Sequence, residues 1–319
     1  MSTEVKNYLV TGGAGFIGSH LVDSLLGEGN NVIVIDNYDD FYSKDLKLKN
    51  LSSALTFDTF QLVEGDIRDR NLLNDIFGNN HIDVVVHLAA KAGVRPSIKD
   101  PEGYYDVNIN GTLNILEAMK AYDIKKMIFA SSSSVYGNNE KVPFSESDSV
   151  DFPISPYAAT KKSGELLCHT YHHLYDFKIN CLRFFTVYGP RQRPDLAINK
   201  FSKRIMNGDP IQMFGDGTTK RDYTYIDDIV QGIKLAMENL NGFEIYNLGE
   251  SRTIMLKELI NLLENEMGKK AKIEKLPLQP GDVEQTYADI SKARELLKYD
   301  PQFEIEEGIK NFVEWAKNG

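Results

Sequence analysis

The sequence predicts an α/β fold, a doubly wound parallel sheet with a smaller mixed α/β C-terminal substrate domain. Three observations carry that expectation. Short, continuous, β-branched runs recur through roughly the first 180 residues, helix-length stretches separate them, and the alternation breaks after Gly189. Runs of this kind fit strands buried on both faces, and strand–helix alternation on this scale builds a parallel sheet with helices on each side.

Taken in order, Tyr8-Leu9-Val10 leads into glycines, and Val32–Ile35 ends at Asp36. Phe60–Val63 ends at Glu64-Gly65-Asp66, and Val84–Val86 ends at His87-Leu88-Ala89-Ala90. Met127–Phe129 ends at four serines, Ser131–Ser134, and Ile179–Leu182 ends at Arg183-Phe184-Phe185. Helices are expected over Ile17–Leu26, from about Tyr104 to Ala121, and from about Tyr157 to Tyr175. Beyond Gly189 the chain is punctuated by Pro190, Pro194 and Pro210. The expected domains are 1–188 and, mainly, 189–319, with the strand-like Phe243–Leu248 returning to the first sheet.

The chain has 319 residues, enough for one large or two medium domains with a real core. A formal charge of −10 argues against a nucleic-acid surface. No apolar run reaches membrane-spanning length, and the N-terminal stretch lacks the pattern of a secretory signal. Cys168 and Cys181 lack metal-type spacing, so a reducing, cytoplasmic setting is expected, with no metal site and no disulfide.

Thr11–Gly18 places glycines at 12, 15 and 18, directly after the first strand and opening a helix. Gly12 suits a tight turn, Gly15 lets backbone approach a pyrophosphate at the positive helix end, and Gly18 lets helix and sheet pack closely. This is the fingerprint of a Rossmann dinucleotide site, with Phe16 and Ile17 in the first helical turn. Asp36 ends the second strand, 18 residues after Gly18. A carboxylate there accepts from ribose hydroxyls and repels a 2′-phosphate, which favours NAD over NADP. Asn37, Asp66 and Ile67 are expected beside the adenosine, and Leu88, Ala89 and Ala90 are small enough to let backbone meet cofactor.

Tyr157 and Lys161 stand four apart on one expected helix and share a face. An ammonium near a phenol favours the phenolate, making Tyr157 a general base near neutral pH. Ser132, 25 residues earlier at a strand end, is placed to hold a substrate alcohol beside it. Removal of a proton from C–OH with hydride leaving for nicotinamide needs these three groups.

The ordered set "TGGAGFIGSHL", "HLAAKAGVRPS", "SSSSVYG", "SPYAATKKSGE", "LRFFTVYGPRQRPD" and "FGDGTTKRDYTYIDDI" resembles the extended short-chain dehydrogenase/reductase group, within it the nucleotide-sugar epimerases and dehydratases. The resemblance spans nearly the whole chain. It implies Ser132 as the catalytic hydroxyl, Tyr157 as base, Lys161 also as a holder of the nicotinamide ribose, and a tightly bound, recycled NAD. The 4,6-dehydratases of this group carry an Asp-Glu pair after the catalytic hydroxyl. Ser133 and Ser134 stand there and are neither strong acids nor bases, so dehydration is disfavoured.

Thr186, where neutral-hexose epimerases usually carry Asn, is similar to the UDP-glucuronate 4-epimerases, as are Ala92–Arg95, Arg193–Asp195 and Gln279–Val283. Ser133, Ser134 and Thr186 are then expected to present hydroxyl donors to a substrate carboxylate, against the plainer reading that the two serines satisfy backbone. The resemblance further implies Arg95, Arg193, Arg221 and Asp282 as substrate residues for a UDP-sugar. It also implies a homodimer through a four-helix bundle. Two apolar stripes, Tyr105/Ile109/Thr112/Leu116/Met119 and Leu166/Leu167/Thr170/Tyr171/Leu174, are of the kind that is usually ordinary core, and the resemblance makes them candidates for that interface. A UDP-glucose/UDP-galactose 4-epimerase and a UDP-glucuronate decarboxylase remain the alternatives.

Overall fold

The computed structural model describes residues 4–277 and 284–318, so Asp282 and the Gln279–Val283 motif lie outside the described residues. Two compact units are built from interleaved stretches. The first holds the described residues up to Gly137, then Ser149–Arg183 and Val230–Tyr246. The second holds Asn138–Asp148, Phe184–Ile229 and the described residues from Asn247 onward.

In chain order the first stretch runs β1 (Asn7–Thr11), α1 (Phe16–Gly27), β2 (Asn31–Asp36), α2 (Lys44–Asn50), β3 (Phe60–Glu64), α3 (Arg70–Asn79) and β4 (Val84–His87). It continues through α4 (Val94–Lys99), α5 (Pro101–Tyr105), a π-helical segment (Asp106–Gly111), α6 (Thr112–Ala121), β5 (Lys126–Ser132), a 3-10 turn (Ser133–Tyr136), α7 (Pro156–Tyr175) and β6 (Lys178–Phe184). Then come β7 (Thr186–Tyr188), α8 (Ala197–Asn207), β8 (Pro210–Phe214), β9 (Lys220–Arg221), β10 (Tyr223–Tyr225), α9 (Ile226–Glu238) and β11 (Phe243–Leu248). The last are β12 (Ile254–Met255), α10 (Leu256–Met267), β13 (Lys272–Leu276), α11 (Ser291–Leu297) and α12 (Ile305–Asn318).

The central sheet has seven strands in the order β11-β6-β5-β4-β1-β2-β3. Pairing is parallel from β3 through β2, β1 and β4 to β5. Strand order in the sheet reverses between β1 and β4, and ligands of such sheets sit outside the strand C-termini at that switch point. Thr11, Asp36, His87 and Ser132 all end strands on that side. One face of the sheet packs Leu9, Val85, Met127, Phe129 and Ile179 against Ile115, Met119 and Phe177.

The helix expected from Tyr104 to Ala121 is present, and its turns widen to a π segment at Asp106–Gly111. There Gly111 lies so close to Ile67 that a side chain would collide with it. Leu116 and Met119 are fully buried in their own unit, and Thr112 and Tyr171 nearly so, rather than facing a partner. Apolar spacing alone does not separate a helix's own core from an outer face. Tyr105, Leu166 and Leu174 are the large apolar members of the two stripes that stand exposed.

The second unit pairs β7 with β10 and β8 with β13 in parallel, and β9 with β12 antiparallel. Among the described residues no helix is long and apolar enough to cross a membrane. Cys168 and Cys181 are free thiols, both buried.

Candidate active site

The β1–α1 turn is made by backbone. Gly12 sits at φ +72°, and a Cβ there would lie 2.8 Å from the Ala89 amide. A Cβ on Gly18 would lie 2.7 Å from the Gly13 Cα and collide with the Gly12 carbonyl, so α1 can rest on the turn only without a side chain at that position. Some other helices of this unit start with a side-chain cap, Ser43 for α2, Asp69 for α3 and Ser155 for α7, while α4 and α6 follow Gly93 and Gly111 without one. Helix α1 starts at Gly15 with no side-chain cap. Uncapped amides at the positive end of a twelve-residue helix suit a diphosphate.

Asp36 forms the rim of that turn and is nearly buried. Its carboxylate accepts from the Ala14 amide at 3.0 Å and the Tyr38 amide at 2.9 Å. Burial raises its pKa, opposed by those two amides and by the Lys47 charge. Asn50 Nδ2 donates to the Ala14 carbonyl at 3.1 Å, so the Ala14 residue is held at both ends. Among the adenosine candidates, Asn37 donates to Asp66 at 2.9 Å. Arg68 donates two side-chain hydrogen bonds to Asp66 and brings its pKa down to about 2. Ile67 is buried beside them, while Leu88, Ala89 and Ala90 are half-buried after β4. These residues fit a dinucleotide: an uncapped helix end, a side-chain-free approach, and an acidic rim.

At the end of β5 the four serines divide. Ser131 is buried and donates to Glu165 at 2.6 Å. Ser132 Oγ accepts from the Ser134 amide at 3.2 Å and from the Ser134 hydroxyl at 2.9 Å. With both bonds accepted, the Ser132 proton is left to donate. Ser134 spends its own proton on Ser132, which departs from its expected role as a donor to substrate. Lys161 is buried, and its Nζ donates to the Ala130 carbonyl at 2.7 Å, two residues before Ser132. The same Nζ lies 5.9 Å from the Tyr157 ring centroid. Burial brings the Lys161 pKa down to about 8. Tyr104 meets the Tyr157 ring edge-on, centroids 6.3 Å apart. Ser132, Tyr157 and Lys161 are thus gathered at one strand end.

A polar relay beneath this site was not anticipated. The Ala89 amide donates to Thr11 Oγ1 at 3.1 Å, and Thr11 Oγ1 meets His87 Nδ1 at 2.7 Å. His87 Nε2 meets Thr112 Oγ1 at 3.0 Å, and Thr112 donates to the Asn108 carbonyl at 2.6 Å. Because the Thr112 proton goes to Asn108, His87 must donate from Nε2 and accept from Thr11 at Nδ1. Burial first, then the Lys161 charge, push the His87 pKa down to about 3, so the ring is neutral. Asn108 also donates to Thr160 at 3.0 Å, on α7, the helix that carries Tyr157 and Lys161. The one sequence signal was a histidine closing an otherwise apolar strand.

Other predicted residues are placed singly. Arg95 is exposed on α4, and Ser133 is half-buried. In the second unit, the Thr186 amide donates to the Asp222 carbonyl at 3.1 Å. Arg193 forms a fork with Asp195 at 3.0 and 2.9 Å. Arg221 Nη1 donates to the Lys220 carbonyl at 2.8 Å.

A family profile described as GDP-mannose 4,6 dehydratase matches residues 9–312. The chain belongs to this family of short-chain-type nucleotide-sugar epimerases and dehydratases. Among family members, the UDP-glucuronate 4-epimerase of Thermodesulfobacterium geofontis is 49% identical over 97% of this chain and 96% of its own length. The crystal structure of UDP-glucuronic acid 4-epimerase from Bacillus cereus, in complex with UDP-glucuronic acid and NAD, is 42% identical with a TM-score of 0.92, covering 98% of this chain and 99% of that one. A UDP-glucose 4-epimerase from Thermotoga maritima, with UDP-glucose, is 37% identical with a TM-score of 0.90 at the same coverage.

Proposed function

We propose that the chain is an NAD-dependent 4-epimerase of a UDP-sugar, interconverting UDP-glucuronate and UDP-galacturonate. One observation carries the reading: a buried Lys161 faces the Tyr157 ring beside a serine turn that holds no carboxylate at positions 133 and 134. Relatives named UDP-glucuronate 4-epimerases at 49% and 42% identity support it.

Gly12, Gly15 and Gly18, the α1 amides of Phe16 to Gly18, and Asp36 hold the dinucleotide. When bound, NAD supplies a reversible hydride acceptor for C4 of the sugar. Tyr157 takes the proton of the C4 hydroxyl and later returns it, with the Lys161 charge favouring that loss. Ser132 donates to the C4 oxygen with the proton its two acceptor bonds leave free. By their motifs, Arg193 and Arg221 are assigned to the nucleotide or substrate anions. Ser133 is assigned by its motif to the C6 carboxylate, where charge-assisted bonds are roughly twice as strong as neutral ones. Asp282 keeps its motif-based assignment to the nucleotide ribose. A uronate oxidised at C4 is a β-keto acid and loses CO2 readily. Holding its carboxylate out of line with the carbonyl π system keeps the sugar intact.

We assign a homodimer to the exposed Tyr105, Leu166 and Leu174, and a cytoplasmic location to the two free thiols, which fit a reducing compartment. Light scattering tests the first. The function itself is tested by incubating purified protein with UDP-glucuronate and no added cofactor. UDP-galacturonate is the expected product. UDP-pentose, or conversion of UDP-glucose alone, overturns the assignment in favour of the decarboxylase or the neutral-hexose epimerase.

A further inference from the structure

Behind the serine turn lies a charge pair that the epimerase chemistry does not use. Glu165 and Arg183 each have side chains 1% exposed. Arg183 Nε and Nη2 donate to the two Glu165 oxygens, both at 2.8 Å. Ser131 donates to Glu165 at 2.6 Å. Arg183 Nη1 donates to the Tyr136 hydroxyl at 3.0 Å, and the guanidinium lies 4.8 Å from the Tyr136 ring centroid. Lys162, at 3.4 Å, adds a weaker contact to Glu165.

The pair joins four elements. Glu165 is on α7, four residues after Lys161 and eight after Tyr157, on the same helical face. Arg183 is on β6, Ser131 on β5, and Tyr136 closes the 3-10 turn. Ser131 and Tyr136 bracket Ser132, Ser133 and Ser134. The fork therefore grips both ends of the segment that presents those hydroxyls and fastens it to the helix that carries the base. Stability alone does not explain such a pair, because well-packed apolar residues of similar volume are often as stable or more so. A two-pronged guanidinium–carboxylate contact fixes relative orientation, which a greasy contact does not.

We propose that Glu165 and Arg183 are positioning residues that set the register of the Ser132–Ser134 turn against Tyr157, acting through Ser131 and Tyr136. This role rests on the epimerase reading. It makes turnover, and the retention of the substrate carboxylate, depend on two side chains that touch no ligand.

The test uses Ser131→Ala and Tyr136→Phe, which each release one end of the turn and leave the ion pair whole, with Arg183→Lys as a third variant. For Ser131→Ala and Tyr136→Phe we expect kcat to fall about tenfold, the scale of a sub-ångström misplacement, while KM stays within about twofold. With UDP-glucuronate, the ratio of pentose to epimer should rise. Ser131→Thr, which restores the hydroxyl, should recover most of the rate. A purely structural role scales both products down together with the folded fraction, and that result overturns the proposal, as does wild-type kcat in both variants. Should Arg183→Lys fail to fold, the other two decide. Assaying UDP-glucose in parallel separates the positioning role from the substrate assignment. If the wild type converts only that sugar, the uronate assignment falls while the kcat comparison still judges the positioning role. A wild type inert toward both sugars overturns both.

Discussion

The turn after β1 and the turn after β5 end neighbouring parts of one sheet but are built by opposite means. The first is backbone: Gly12 and Gly18 work by what they lack, and Asp36 and Asn50 grip the Ala14 main chain. The second is side chain: hydroxyls bonded to one another and anchored on a buried ion pair. A backbone site fails when something is added to it. A side-chain site fails when something distant is taken away. Substitutions in and around the two turns separate those modes.

The largest effect is expected at the chemistry itself. Tyr157→Phe should lower turnover roughly a thousandfold, the range of general acid–base contributions, while purified protein keeps its dinucleotide. An unchanged rate would remove the base from the scheme. Next, Glu165→Ala leaves Arg183 buried and unpaired and should cost about 3–5 kcal/mol in denaturant unfolding. A loss well under that would mean that water enters to solvate the guanidinium. Third, Gly18→Val adds atoms against the Gly12 carbonyl and the Gly13 Cα and should weaken dinucleotide binding on the order of a hundredfold. Cofactor content of the purified variant measures it, and full occupancy would contradict the close packing of α1 on its turn.

A smaller effect is expected at the rim. Asp36→Asn keeps one acceptor oxygen for two amides and should weaken dinucleotide retention about tenfold, read as a faster release rate. The smallest signal is a slope in stability with pH. Burial brings Lys161 to about 8, below the ordinary lysine value of about 10.4. Between those values the unfolded chain holds a proton that the folded one has lost, so the Lys161 contribution to stability rises with pH there and is least favourable below about 8. Subtracting the curve of Lys161→Met should reveal that rise, and a flat difference would mean the ammonium is better solvated than its burial implies.

The same contrast explains what the sequence made legible. A backbone site writes itself in glycines at fixed spacing, so Gly12, Gly15, Gly18 and the strand-end Asp36 could be read directly. Tyr157 and Lys161 were legible because helical spacing places them on one face. The serine run was legible only as a run. That Ser131 turns inward to Glu165, and that Ser134 donates to Ser132, depends on Glu165 and Arg183, 34 and 52 residues beyond Ser131. The relay through His87, Asn108 and Thr112 was not legible for the same reason: apart from a histidine closing an apolar strand, nothing marks the three until the fold makes them neighbours. The apolar stripes were legible only as stripes, since Leu116 and Met119 satisfy the spacing of an outer face and of a core equally well, and they lie in the core.

The interleaving of the two units bears on how the chain is made. Val230–Tyr246, including most of β11, belongs to the first unit, yet Phe184–Ile229 of the second precedes it in sequence. Synthesis runs from the N-terminus, and domains tend to fold as they emerge. The first unit cannot finish its sheet on the ribosome until Tyr246 has left the exit tunnel, and a long stretch of the second is already outside by then. For a nascent chain of this protein, the edge of β6 that β11 later covers is open to mispairing during that interval.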